Sequence, residues 1–239
     1  MIWQCPDDAV AALVLAHGAG AGMRHRHMQA LADAFGRVGI ATLRFDFPFI
    51  EAGKKHVDSQ AVATASIAAA YESATARTTL PIWLGGHSFG GRMASHAVLD
   101  RQLIPCGLIF CSFPLHAPGK QGIERARHLA QIRLPMLFLS GTRDTFAERE
   151  LLEPLVAGLA ARESLAARGS GSSGGSGSSG GSGFSGGSGF SRDCRAHFLD
   201  TADHGFHTLK RQRRVEADVY DEAAHAARAF IDCHVGVAS

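Results

Sequence analysis

The chain has 239 residues, 46% of them hydrophobic and 19% charged, and a formal net charge of +2. That is enough chain for one domain with a buried core, in a balance ordinary for a soluble enzyme. The small charge points neither to nucleic acid nor to an anionic membrane surface, and no apolar run reaches the ~18 residues of a membrane span.

The N-terminus, "MIWQCPDDAV", has no basic segment followed by an apolar one, which predicts no signal peptide. The five cysteines, at 5, 106, 111, 194 and 233, are odd in number and lack C-x-x-C spacing. Reduced thiols in a cytoplasmic protein fit that usage better than disulfides or a metal site.

The first strand expected is "ALVLAHG" (12–18), which runs into the glycine-rich stretch "AHGAGAGMRHRHM". Glycines there let the backbone approach a ligand closely. A phosphate-binding loop does not fit, since G-x-G-x-x-G is missing and no Walker lysine follows. Met28, Leu31, Ala32, Phe35 and Val38 then make one apolar helical stripe. The strand "IATLRFD" (40–46) leads to Phe47, Pro48 and Phe49 and a helical pattern at 58–76. The strand "PIWLGG" (81–86) leads to a helix at 89–99. The strand "GLIFCSF" (107–113) leads to "QGIERARHLAQI", which reads as a crossover helix. The strand "PMLFLSG" (135–141) leads to a helix at 146–162.

Residues 169–191 break this rhythm with a six-residue Gly/Ser repeat that reads as a flexible loop. Some 23 such residues span roughly 25 Å, enough to return the chain past a helix of about 25 Å. The last strand, "RAHFLD" (195–200), precedes the basic run "KRQRR" (210–214), read as a solvated helix entrance. In the closing helix, 216–233, Val219, Tyr220, Ala223, Ala227, Phe230 and Ile231 share a face.

Most of these strands are continuously apolar rather than alternating, as strands buried on both faces are. Strand and helix alternate along the chain. The fold class is therefore α/β, a single domain over 1–239 with a mostly parallel sheet of about six to seven strands and helices on both faces. Only residues 114–134 separate the last two strands before the tract. Once the crossover helix is placed, too little chain remains for a cap domain.

G-x-S-x-G occurs four times, at Ser88, Ser173, Ser179 and Ser185. The last three lie in the Gly/Ser tract, where composition alone generates the pattern. Only Ser88 follows an apolar strand and opens a helix, the turn that exposes a nucleophilic serine. Gly86 and Gly90 suit a turn too tight for Cβ atoms. A serine needs a base, and the base needs a carboxylate to orient it. On this architecture the chain order is Ser, acid, His. Asp144, past the strand ending at Gly141, is the candidate acid and also a candidate cap for the helix expected from Phe146. His204, past the last strand, is the candidate base, with His207 the alternative and Asp200 and Asp203 rival acids. The oxyanion donors expected are the backbone N–H groups of Phe89 and of Ala19, or else Gly20. Met23, Phe47, Pro48, Phe49 and Phe113 sit on loops after strands, where they would wall an acyl pocket or pack into the core.

These residues resemble the α/β-hydrolase fold superfamily over nearly the whole chain outside the tract. More narrowly, "HGAGAGM" (17–23), "LRFDFPF" (43–49), "GGHSFGGRMAS" (85–95), "SFPLHAPGK" (112–120) and "LSGTRDTF" (139–146) are similar to a lidless dienelactone-hydrolase-like family that includes testis-expressed-protein-30 type proteins. The resemblance implies the triad Ser88, Asp144 and His204 and esterase-like chemistry, with no metal or cofactor. The Gly/Ser tract departs from the family pattern. The expected function is hydrolysis of small soluble carboxylic esters. The alternatives are a non-catalytic interaction protein of this fold, or a triad peptidase, thioesterase or cofactor-free peroxidase, since fold does not set substrate.

Overall fold

The computed structural model describes residues 1–169 and 193–235. Its strands are β1 (Ile2–Gln4), β2 (Ala11–Ala16), β3 (Ile40–Arg44), β4 (Ile82–His87), β5 (Leu108–Cys111), β6 (Met136–Gly141) and β7 (Cys194–Leu199). They form one seven-stranded sheet in the order β1-β3-β2-β4-β5-β6-β7. Every neighbouring pair is parallel except β1 with β3. The helices are α1 (Arg26–Arg37), α2 (Pro48–Glu51), α3 (Gln60–Thr75), α4 (Phe89–Asp100), α5 (Arg149–Gly169) and α6 (Val219–Val235).

The continuous hydrophobicity of the strands has a direct cause. Side chains alternate across a strand, and here both faces are covered. From β2, Ala12, Val14 and Ala16 enter the core beneath α3 and α4. Ala11, Leu13 and Leu15 enter the opposite core with α1 and α6. The stripe read from the sequence in α1 is buried at Met28, Leu31, Ala32 and Phe35, and that in α6 at Val219, Ala223, Ala227, Phe230 and Ile231. Each such large apolar side chain contributes ~1.5–3 kcal/mol by leaving water.

Several local expectations need correction. The expected crossover helix between β5 and β6 is present, as a 3₁₀ helix, Glu124–Gln131. α5 begins at Arg149, not Phe146. The basic run before α6 is not simply solvated, because Arg213 donates to the carbonyls of Asp200 and Ala217 and pairs with Glu222. Residues 112–135, between β5 and β6, carry that 3₁₀ helix and no cap domain. The Gly/Ser tract, read as a loop at 169–191, lies outside the described residues except for Gly169, the last residue of α5. Among the described residues, no helix is long and apolar enough to cross a membrane.

Candidate active site

Ser88 stands between β4 and α4 with φ 51° and ψ −114°. A non-glycine residue there stores about 1–3 kcal/mol of strain, and the surroundings hold it in place. The Ser88 N–H donates to the Cys111 carbonyl of β5 at 3.0 Å. A Cβ added to Gly86 would overlap the Ala16 carbonyl, and one on Gly90 would overlap the carbonyls of Ala16 and His17. The strand–turn–helix junction can close this tightly against β2 only because both residues are glycine.

His204, on the loop after β7, reaches over this turn. Its Nε2 lies 2.8 Å from Ser88 Oγ. Its Nδ1 lies 2.9 Å from each carboxylate oxygen of Asp144. A carboxylate only accepts, so Nδ1 carries the proton and Nε2 is left to accept from the serine hydroxyl. The Asp144 side chain is fully buried, and that of His204 is 22% exposed. Asp144 Oδ1 also accepts from the Phe146 N–H at 2.9 Å. The cap expected of Asp144 is therefore real, but it closes the turn before α5 rather than the helix itself. The Phe146 ring packs 4.6 Å from that of His204.

The rival groups are engaged elsewhere. Asp203 Oδ1 accepts from the N–H groups of Gly205 and His207. Burial alone would raise its carboxyl, but these bonds outweigh burial and hold it below the usual range. Asp200 accepts from the Arg214 N–H. His207, its side chain 70% exposed, faces Asp203.

Ala19, Gly20 and Phe89 all border the cleft above Ser88. Neither the Ala19 nor the Phe89 N–H donates to another group among the described residues. Phe89 is the first residue of α4, so the positive end of the helix dipole meets the same point. His17 braces the other side of this loop. Its Nδ1 contacts the Gly18 carbonyl at 2.7 Å, and its Nε2 accepts from the Phe47 N–H at 3.1 Å. Burial pushes its pKa down, so the ring is neutral, with its proton on Nδ1.

The residues expected to wall an acyl pocket are elsewhere. Phe47, Phe49 and Phe113 lie in the hydrophobic core. Phe47 and Phe49 pack beneath Phe89, with centroids 5.3 and 6.1 Å away. Phe113 packs against Phe110 and Phe138. Pro48 and Met23 are outside the cleft wall as well, and the Met23 backbone is bonded to Asp46 and Arg44. The loops after β3 and β5 fold Phe47, Phe49 and Phe113 inward, where they buttress the site from below.

The cleft itself encloses about 550 Å³, within the range of small-molecule sites. Val57, Pro114, Pro118 and Phe146 give it an apolar side. Histidines His25, His27, His87 and His207 give it a polar one, together with Tyr220 and the arginines Arg26, Arg92 and Arg125. His87 and His27 are neighbours of Ser88 and His204 that the sequence analysis does not single out. The His27 ring stacks edge-on to His87 with centroids 4.4 Å apart, and its Nδ1 meets the Tyr220 hydroxyl at 2.9 Å. Removal from water pushes His87 down to about 4 and His27 down to about 2. His87 had a visible signal, its place beside Ser88. His27 had none, since only the fold brings α1 to the cleft.

Residues 9–170 match the family model described as alpha/beta hydrolase domain. Among solved structures, the dienelactone hydrolase of Anabaena variabilis superposes with a TM-score of 0.60 at 17% identity, over 97% of this chain and 90% of its own. An α/β serine hydrolase without a lid from Xanthomonas campestris gives 0.61 at 18% identity, over 95% and 87%. The esterase domain of a Rhodothermus marinus protein gives 0.60 at 17% identity, over 98% and 92%. At these identities the likeness is one of fold.

Proposed function

The chain belongs to the alpha/beta hydrolase domain family, and on that premise we propose that it is a serine hydrolase of small carboxylic esters, acting through an acyl-enzyme. The observation that carries this reading is the continuous line Ser88 Oγ to His204 Nε2 to His204 Nδ1 to Asp144, with both contacts at hydrogen-bond length.

Chemistry follows from that line. Ser88 Oγ attacks the ester carbonyl as His204 Nε2 takes its proton. The imidazolium that forms keeps its Nδ1 proton against Asp144, whose charge stabilises it. The carbonyl oxygen, now an anion, receives the unpaired N–H groups of Ala19 and Phe89 at the head of α4. His204 then gives its proton to the departing alcohol. Water repeats the sequence on the acyl-serine, with His204 again as base, and Ser88 is regenerated. In this reading Met23, Phe47, Phe49 and Phe113 have no contact with substrate. The binding surface is the cleft between Val57, Phe146 and the prolines. A cytoplasmic location, inferred from the cysteine usage, belongs to the same proposal. The experiment is fluorophosphonate labelling followed by a screen of acyl esters. Labelling with turnover supports the reading, and a folded protein that does neither contradicts it.

A further inference from the structure

Arg92 lies one helical turn after Ser88, its N–H bonded to the Ser88 carbonyl at 3.1 Å. Its side chain borders the cleft, with the guanidinium carbon 5.9 Å from the Phe89 ring centroid. The position is unfavourable for a cation in three ways. It is in the first turns of α4, where the helix dipole is positive. Its Nε is buried and has no partner among the described residues. Its pKa is pushed below the usual arginine value by burial first and by Arg125 second, although an arginine stays charged.

The Phe89 ring offers it a cation–π contact, but no described carboxylate pairs with it. Arg37, Arg127, Arg149, Arg195, Arg213 and Arg228 each pair with a carboxylate. Arg92 and Arg125 pair with none, and Arg125 spends one N–H on the His116 carbonyl. Arg26 adds a third cation to the wall, and no Asp or Glu borders the cleft among the described residues. A partly buried charge with no ion pair is costly to keep. A ligand of opposite charge would turn the same arrangement into recognition, since a guanidinium fork binds carboxylate or phosphate with two parallel bonds.

We propose that Arg92, with Arg125 beside it, binds a negatively charged group on the acyl part of the substrate, so that the esters this site hydrolyses carry a carboxylate or phosphate. The proposal rests on Ser88 being the nucleophile. The anion belongs to the acyl part because Arg92 shares α4 with the Phe89 amide that holds the carbonyl oxygen, whereas the leaving alcohol must meet His204.

The test compares two esters of one shape in the full-length chain, monomethyl glutarate and methyl glutaramate, whose far ends are a carboxylate and a neutral amide. Methanol release is followed by NMR. The wild type should favour the half-ester by about 10- to 100-fold in kcat/KM, the range of a hydrogen bond to a charged group. Arg92→Gln should remove most of that preference, and Arg92→Lys, which keeps the charge, should restore part of it. Separately, glutarate and inorganic phosphate are titrated calorimetrically into Ser88→Ala with and without Arg92→Gln. Binding that depends on Arg92 supports the site, and the anion that binds more tightly identifies carboxylate or phosphate. Equal kcat/KM for the two esters would overturn the anion site and leave the hydrolase reading intact. Binding that depends on Arg92 with no turnover of any ester would do the reverse. If no ester turns over and neither anion binds, the anion site is overturned too.

Discussion

The Nε2–H of His87 donates to the backbone carbonyl of His204 at 2.8 Å. One residue therefore ties the strand that leads into Ser88 to the loop that carries His204, although 117 positions separate them in sequence. In the proposed mechanism His87 acts through His204 as a positioning residue. His87→Ala leaves that carbonyl unpaired, which costs about 1–3 kcal/mol. The expected outcome is a fall in kcat of about tenfold to a hundredfold with KM little changed. His87→Gln, whose amide can reach the same carbonyl, should recover most of it. Full activity in the alanine variant would show that the loop needs no such tie.

The buried histidines make stability depend on pH. His87 and His128 are pushed down to about 4 and His27 to about 2, all chiefly by burial, from an ordinary value of 6.5. Between about pH 6.5 and 4 the unfolded chain binds these protons and the native chain does not. Stability therefore rises with pH across that window and is lost as pH falls through it. Each histidine contributes a slope of up to ~1.4 kcal/mol per pH unit. Urea unfolding at steps from pH 7 to pH 4 checks this, and a flat or rising stability on acidification would contradict it.

Asp144→Asn keeps the shape of the acid and an oxygen for the Phe146 N–H, but removes the charge and favours the wrong histidine tautomer. By the serine-protease precedent, kcat should fall on the order of 10⁴-fold. Near-normal turnover would remove Asp144 from the relay, and Asp200, bonded to the Arg214 N–H, would be the next residue to replace.

With no cap domain among the described residues, the cleft cannot surround a long acyl chain. Each methylene beyond the wall of Val57, Pro114, Pro118 and Phe146 stays in water and forgoes ~0.8 kcal/mol of burial. Across p-nitrophenyl esters from acetate to palmitate, kcat/KM should be highest for short chains, with no rise on micelles. A steady increase towards palmitate would contradict a site open to solvent.

How far the sequence could be read follows from the same physics. Strands covered on both faces are mostly apolar, so β2, β4, β5 and β6 stand out as apolar runs, whereas β3 carries the buried Thr42 and Arg44. Ser88 stood out because strand, serine and helix adjoin in the chain. β1, only three half-buried residues on the sheet edge, has too little pattern to find. α2 has four residues, below the length at which a helical period shows. The cleft wall was read wrongly for a different reason. An aromatic residue in a loop after a strand can turn inward or outward, and periodicity does not say which. Phe47, Phe49 and Phe113 turned inward. Arg92 was in plain view four residues after Ser88, but its isolation from every described carboxylate is visible only in three dimensions.

The proposed chemistry turns on Ser88 being the nucleophile among four serines set in the same five-residue pattern. The most direct measurement is mass spectrometric mapping of the site modified by a fluorophosphonate. One adduct is expected, on Ser88, and it should disappear in a folded Ser88→Ala variant together with ester turnover. An adduct on Ser173, Ser179 or Ser185, or undiminished turnover in Ser88→Ala, would contradict it.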